Sequence, residues 1–251
     1  MGQAIAAAFL SLLFLQTTAS PPPKPVNEVV DAVSRTAREY RDRLPDFLCT
    51  EKITSATYDS GKLREQRIVE SIFTPSYKPG AQREIIAIDG KPARKNAKMP
   101  GLPILWDASF GWLLEATFAP SILRFHDYSL EQKTDATGML TLEFKTRMNQ
   151  TDLRWPLYGE HRVARDAGTA WIDSATMQVV RIERNLFGLP SSITRMAATS
   201  DFGPVNIGGK QYWVPKNLRF ETTERDPKKT TRFVAEYSNC KKFGAEVKIL
   251  P

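Results

Sequence analysis

Two histidines and two cysteines are the residues of this chain best suited to catalysis or metal binding. His126 precedes Asp127, and His161 follows Glu160, but neighbouring residues of a strand point to opposite faces of a sheet. Neither pair is therefore placed for acid–base catalysis, and neither histidine has a second ligand at zinc-site spacing. The sequence also has no Gly-x-Ser-x-Gly segment for a nucleophile. We therefore predict no catalytic residue, metal or cofactor; a hydrolase built on a serine and one histidine is the weakest alternative.

The cysteines, Cys49 and Cys240, lie near the two ends of the region expected to fold. A catalytic or metal-binding thiol needs a nearby histidine or a second cysteine at motif spacing, and neither cysteine has one. In an oxidising compartment two such cysteines favour a disulfide, which here would join the first strand to the last.

The first residues predict export. An uncharged apolar run from Ala4 to Leu15 leads into small residues, with the best cleavage point after Ala19, and then into a proline-rich stretch ending at Pro25. We expect a signal peptide over residues 1–19, a spacer over 20–25, and one folded domain over 26–251 in the periplasm or outside the cell.

The net charge of +7 comes from 35 Lys and Arg residues against 28 Asp and Glu residues. Most charges alternate along strands, and only Lys91–Lys98 forms a local basic cluster. That cluster is typical of a solvated loop first and of an anion-binding patch second. No zinc-finger, helix-turn-helix or RNA-binding signature occurs, so we predict no nucleic-acid partner.

The hydrophobic pattern predicts a mainly β chain with helices, of the α+β class. Apolar residues from Val26 to Leu44 recur at helical spacing, and Pro45 ends that helix. From Phe47 onward the period is two, which predicts about thirteen strands, the last at Glu246–Leu250. Short turns favour antiparallel neighbours, and hence one curved meander sheet that forms an unclosed half-barrel. A second helical patch, Trp106–Phe118, is either ordinary core or a cover with aromatic residues that line a pocket.

Two segments resemble the LolA-like superfamily, the periplasmic lipoprotein carriers and their sorting-protein relatives. These are the hairpin Trp171–Glu183, with an aspartate before its turn and Val-Val-Arg-Ile after it, and the segment Ile207–Pro215 before a strand of alternating charge. The resemblance covers mainly residues 165–240. It implies an unclosed β-barrel, capped by helices, whose apolar cavity takes acyl chains.

The first functional hypothesis is a carrier-like protein that holds a lipid or acylated protein without catalysis. The predicted cavity lining is apolar and largely aromatic: Trp106, Phe110, Trp112, Leu113, Phe118, Trp171 and Trp213. The alternative is an envelope protein-interaction or sensing module with the same fold and no ligand, using sheet edges or the Lys91–Lys98 loop; a membrane surface is a further possible partner.

Overall fold

The computed structural model describes residues 25–75, 82–102, 110–131, 138–147, 154–157, 160–163, 165–225 and 229–243. The predicted signal peptide, all of the spacer except Pro25, and the predicted strand Glu246–Leu250 lie outside these residues. What is described is mainly β with few helices, as the sequence pattern predicts.

Within the described ranges the chain forms thirteen strands. They are β1 Phe47–Asp59, β2 Lys62–Thr74, β3 Gln82–Ile88, β4 Lys91–Pro92, β5 His126–Glu131, β6 Met139–Thr146, β7 Arg154–Leu157, β8 Glu160–Val163, β9 Arg165–Asp173, β10 Val179–Phe187, β11 Ile193–Ile207, β12 Lys210–Glu224 and β13 Lys229–Lys242. The number of strands matches the prediction, but the strands themselves are not all the predicted ones. The sequence pattern predicts two strands, Gln211–Pro215 and Leu218–Arg225, where the structure has one continuous β12, because its backbone runs through Pro215 with only a register shift.

Eleven of these strands form one antiparallel sheet, in the order β4-β3-β2-β1-β13-β12-β11-β10-β9-β6-β5, and β7 and β8 form a separate hairpin. The end strands β4 and β5 are not paired with each other, so the sheet is open, as predicted. The strand that departs from a plain meander is β13, which pairs with β1 on one side and β12 on the other.

Among the described residues, three helices pack with this sheet: α1 Val26–Arg43, α2 Trp112–Phe118 and α3 Pro120–Leu123. Helix α1 agrees with the predicted helix and buries its apolar stripe, including Val29, Val33 and Ala37. Helix α2 begins at Trp112, whereas the predicted helical patch begins at Trp106; residues 106–109 of that patch lie outside the described residues. Gly111 has a φ of 83°, a left-handed conformation, so Phe110 and Gly111 form a turn before the helix.

The sheet and helices enclose one large cluster of buried apolar residues and a smaller one. The large cluster joins α1 and α2 to strands across the whole sheet, from Ile85 on β3 to Leu142 on β6. The smaller cluster surrounds the disulfide between Cys49 and Cys240, which links β1 to β13 and confirms the predicted pairing.

Candidate functional site

The C-terminal end of α2 is held by side chains from three other elements. The last four carbonyls of a helix have no partner within it. Here Ser34 of α1 donates to the carbonyl of Phe118 at 2.8 Å, Tyr128 of β5 to that of Thr117 at 2.6 Å, and Arg184 of β10 to that of Ala116 at 2.6 Å. The amide of Ala119 donates to the fourth carbonyl, that of Glu115. We refer to Ser34, Tyr128 and Arg184 as the α2 donors.

Arg184 is the most unusual of the α2 donors because its side chain is fully buried. It shares one face of β10 with Ile182 and Leu186, which are also buried, so strand alternation points it into the core. Its guanidinium carbon lies 5.7 Å from the ring centre of Trp112 and 5.4 Å from that of Phe144. The cation therefore lies near aromatic rings as well as the helix end, where the helix dipole also favours positive charge.

The charge of Arg184 is balanced by Asp166 of β9, which is buried as well. The guanidinium Nε lies 3.1 Å from Asp166 Oδ2, and His126 Nε2 lies 2.8 Å from Asp166 Oδ1. The hydroxyl of Thr146 also donates to Oδ1 and accepts from the Asp166 amide at 2.9 Å. These four residues come from the adjacent strands β5, β6, β9 and β10. The register sets His126 opposite Thr146, which contacts Asp166, and Arg184 reaches Asp166 diagonally from its place opposite Gly168.

Ionisation of this cluster follows from its contacts. Burial by itself raises the pKa of the Asp166 carboxyl, but the hydrogen bond from His126 and the positive charge of Arg184 outweigh it, so this pKa lies below its usual value. Burial lowers the pKa of the Arg184 guanidinium, and Asp166 opposes that change. Because an arginine guanidinium is not deprotonated in proteins, Arg184 stays charged at neutral pH.

His126 has the carboxylate partner that a catalytic histidine needs, but it has no exposed face. Its Nδ1 lies 3.5 Å from the carbonyl of Ile122 in α3, so both ring nitrogens already face acceptors. The neighbouring Asp127 points away and pairs with Arg147 at 3.1 Å. The geometry therefore makes His126 a support for Asp166, without a nitrogen for activating a nucleophile.

The N-terminal end of α2 is fixed by close packing. A Cβ on Gly111 would lie 2.9 Å from the ring of Tyr40 in α1, so the two helices approach where only glycine fits. The preceding Phe110 is buried in the smaller cluster, with ring centres 5.6 Å from Phe47 and 5.0 Å from Tyr237. Both ends of α2 are thus held over the sheet.

Four predicted lining residues belong to α2 or to the turn before it. Phe110, Leu113 and Phe118 are buried, and Phe118 stacks on Tyr128 with ring centres 6.1 Å apart. Trp112 is partly buried against the large cluster and beside Arg184. The structure therefore brings Trp112, Leu113 and Phe118 to the large cluster, whereas Phe110 packs in the smaller one.

The other three predicted lining residues lie elsewhere. Trp171 alternates with the buried Ala170 and Ile172, so its ring is on the outer face of the sheet, 5.9 Å from the guanidinium of Arg181. Trp213 donates from its indole nitrogen to the carbonyl of Val179 at 2.6 Å and lines a surface cavity of about 200 Å³. Trp106 lies outside the described residues.

The α2 donors and Asp166 were missed by the sequence prediction. The signal was present for two of them, because Arg184 and Asp166 each occupy a position on the apolar face of a period-two strand. Among the described residues, no group of three or more His, Cys, Asp or Glu residues could hold a metal ion. No helix in the same residues is long and apolar enough to cross a membrane.

No protein-family model and no curated protein matches this chain. Solved structures similar to it include a DUF1329 family protein from Desulfovibrio piger, at 13% identity and a TM-score of 0.41, covering 91% of this chain and 96% of that one. A LolA superfamily protein from Nitrosomonas europaea has 12% identity and a TM-score of 0.41, with coverage of 88% and 97%. A domain named as an outer membrane lipoprotein-sorting protein from Vibrio parahaemolyticus has 11% identity and a TM-score of 0.41, with coverage of 88% and 95%.

Proposed function

We propose that this chain is an exported, carrier-like protein that binds an apolar chain, such as the acyl chain of a lipid or acylated protein, in the space beneath α2. No catalysis is part of the proposal. The observation that carries it is the attachment of α2: hydrogen bonds from the α2 donors meet its C-terminal carbonyls, and its apolar side chains fill the space above the sheet.

The contacts that hold α2 are of a kind that a ligand could also make. The α2 donors are fixed by the sheet and by α1, and what they bind is carbonyl oxygen of a seven-residue helix. A ligand with a carboxylate or ester oxygen at the end of an apolar chain offers the same acceptor chemistry. Such a ligand could therefore replace both the carbonyls and the apolar side chains of α2.

The magnitudes are compatible with that exchange. Moving Leu113, Leu114 and Phe118 out of the core would cost about 6 kcal/mol, at about 2 kcal/mol per buried side chain. Burying ten methylenes of an acyl chain returns about 8 kcal/mol before ordering costs. Ten methylenes thus offset the burial that the three side chains lose, whereas a chain of a few methylenes does not.

The test is fluorescent fatty-acid uptake by protein purified without detergent, together with native mass spectrometry for a bound lipid. We expect uptake to weaken in Phe110→Ala and Trp112→Ala by more than their loss of stability explains. Trp171→Ala, an aromatic truncation on the outer face, is the matched control and should leave uptake unchanged. Equal effects of Trp112→Ala and Trp171→Ala, or equal losses of folding and binding, would count against the proposal.

A protein-interaction or sensing module is the second candidate, and the packing beneath α2 favours it. Leu113 and Phe118 are almost completely buried in the structure as it stands, which is what a permanently filled core requires. A protein of this kind would show a mass without lipid, no fatty-acid uptake, and stable capture of an envelope protein by its sheet edges.

A further inference from the structure

The segment Lys91–Leu102 has two chemically different sides. Its apolar residues pack against the large cluster: Ala93, Ala97, Met99 and Leu102. Its cationic residues are all exposed: Lys91, Arg94, Lys95 and Lys98. We call these twelve residues the basic segment. The sequence pattern predicts a solvated loop here, whereas the structure shows a loop docked on the core with its cations outward.

The backbone of the basic segment is tied to the sheet. Lys91 and Pro92 form the edge strand β4, opposite Ile88 and Ala87 of β3. The amide of Ala93 then donates to the carbonyl of Ile86 at 2.9 Å. The cations therefore extend from a fixed backbone, unlike those of a terminal tail.

The positive charge of this surface is only partly offset by its surroundings, because Lys91 acts electrostatically on Asp89, which is already paired with Arg67. The basic segment contains no Asp or Glu, and within the described part of the chain none of its four cations forms an ion pair. Elsewhere on the sheet, several arginines are paired with acids: Arg181 with Glu183 and Asp201, and both Arg195 and Arg232 with Glu221.

We infer that the basic segment is a docking surface for an anionic lipid bilayer. Four clustered cations are enough for attraction to an anionic membrane surface. The side chain of Ile86 is 39% exposed beside the same edge, so an apolar group accompanies the cations. The choice of a bilayer over another polyanion rests on the proposed function, because an acyl ligand is taken from or delivered to a membrane.

The position of the segment in the chain connects docking to the binding site. Leu102 ends the basic segment, and Phe110 begins the turn into α2 eight residues later. The basic segment therefore precedes α2 closely in the sequence, and both pack against the large cluster.

The experiment is co-sedimentation of the purified protein with vesicles of phosphatidylglycerol and phosphatidylcholine in equal parts, and with vesicles of phosphatidylcholine alone. We expect binding to the anionic vesicles only, weakening as salt is raised. The double variant Lys95→Gln/Lys98→Gln should lower the partition coefficient about 25-fold, at about fivefold per cation removed. The control Lys62→Gln/Lys210→Gln changes the net charge equally at the exposed first residues of β2 and β12, and should stay within about twofold of the parent protein.

Three results would overturn the inference: no binding to the anionic vesicles, equal losses in the two double variants, or equally tight binding of a single-stranded oligonucleotide through the same two lysines. Thermal unfolding of both variants checks that these exposed substitutions leave the fold intact. No acyl ligand is present in this assay, so the two proposals can fail separately. Loss of vesicle binding with intact fatty-acid uptake would remove only the docking surface. Vesicle binding without fatty-acid uptake would remove only the acyl-binding function.

Discussion

Replacing Arg184 with methionine tests whether the α2 donors hold the cover helix. Methionine keeps an unbranched chain but removes the charge and every donor. The carbonyl of Ala116 and the hydroxyl of Thr117, now 2.6 Å and 2.9 Å from the guanidinium, lose their donor, and Asp166 loses its cation.

The expected loss of stability follows from two routes that agree. Removing one partner of a buried ion pair costs about 3–5 kcal/mol, because the other charge stays buried without compensation. Counting instead two hydrogen bonds from a charged donor, at about 1.5–3 kcal/mol each, leads to about 3–6 kcal/mol. We therefore expect Arg184→Met to lower the free energy of unfolding by about 4 kcal/mol.

Urea denaturation followed by circular dichroism measures this change. Arg181→Met, on the outer face of the same strand, is the matched control and should cost at most about 1 kcal/mol. Adding Asp166→Asn to Arg184→Met should cost less than the two single changes summed, since no unpaired charge is left. A loss below about 1 kcal/mol for Arg184→Met would refute the reasoning.

Three further predictions concern other parts of the chain. Gly111→Ala should destabilise more than Gly61→Ala, because both positions have a left-handed φ but only Gly111 is in close contact with α1; urea denaturation compares them. The pKa of Asp166 is depressed in the folded state, so its ionised carboxylate stabilises the fold above its unfolded-state pKa of about 3.9, and this stabilisation is lost as pH falls through the lower folded-state pKa. Asp166→Asn should remove that part of the acid dependence, which unfolding at a series of pH values would measure. Replacing both Cys49 and Cys240 with serine should lower the unfolding free energy by about 5 kcal/mol, given a separation of 191 residues, and a calorimetric melt without reductant would show it.

The general architecture was accessible from the sequence because it depends on local periodicity. The helical spacing of Val29, Val33 and Ala37 predicts α1, and period-two patterns bounded by short turns predict an open antiparallel sheet. The start of α2 at Trp112 was not predicted, since a periodic pattern does not reveal that Gly111 adopts a left-handed backbone.

The buried polar cluster beneath α2 could not be predicted from local periodicity. His126 and Asp166 are 40 residues apart in sequence, and they meet only because β6 pairs with β5 on one side and β9 on the other. A one-residue slip in either pairing would put them on opposite faces. The contact between His126 and Asp166 therefore depends on the strand register, which the sequence pattern does not determine. The position of Arg184 on the apolar face of β10 nevertheless indicates a buried charge.

The place of β13 in the sheet has a consequence for how the chain assembles. Without β13, the order falls into two separate blocks, β4-β3-β2-β1 and β12-β11-β10-β9-β6-β5, since β1 meets the rest of the sheet only through β13. During synthesis one edge of β1 stays unpaired until β13 has been made, and its backbone groups can pair with another chain in the meantime. Joining the blocks is a contact of long sequence separation, which is a slow step in folding. Insertion of β13 therefore closes two edges that could pair with another chain, those of β1 and β12, and the disulfide can secure the join only after that strand has been inserted.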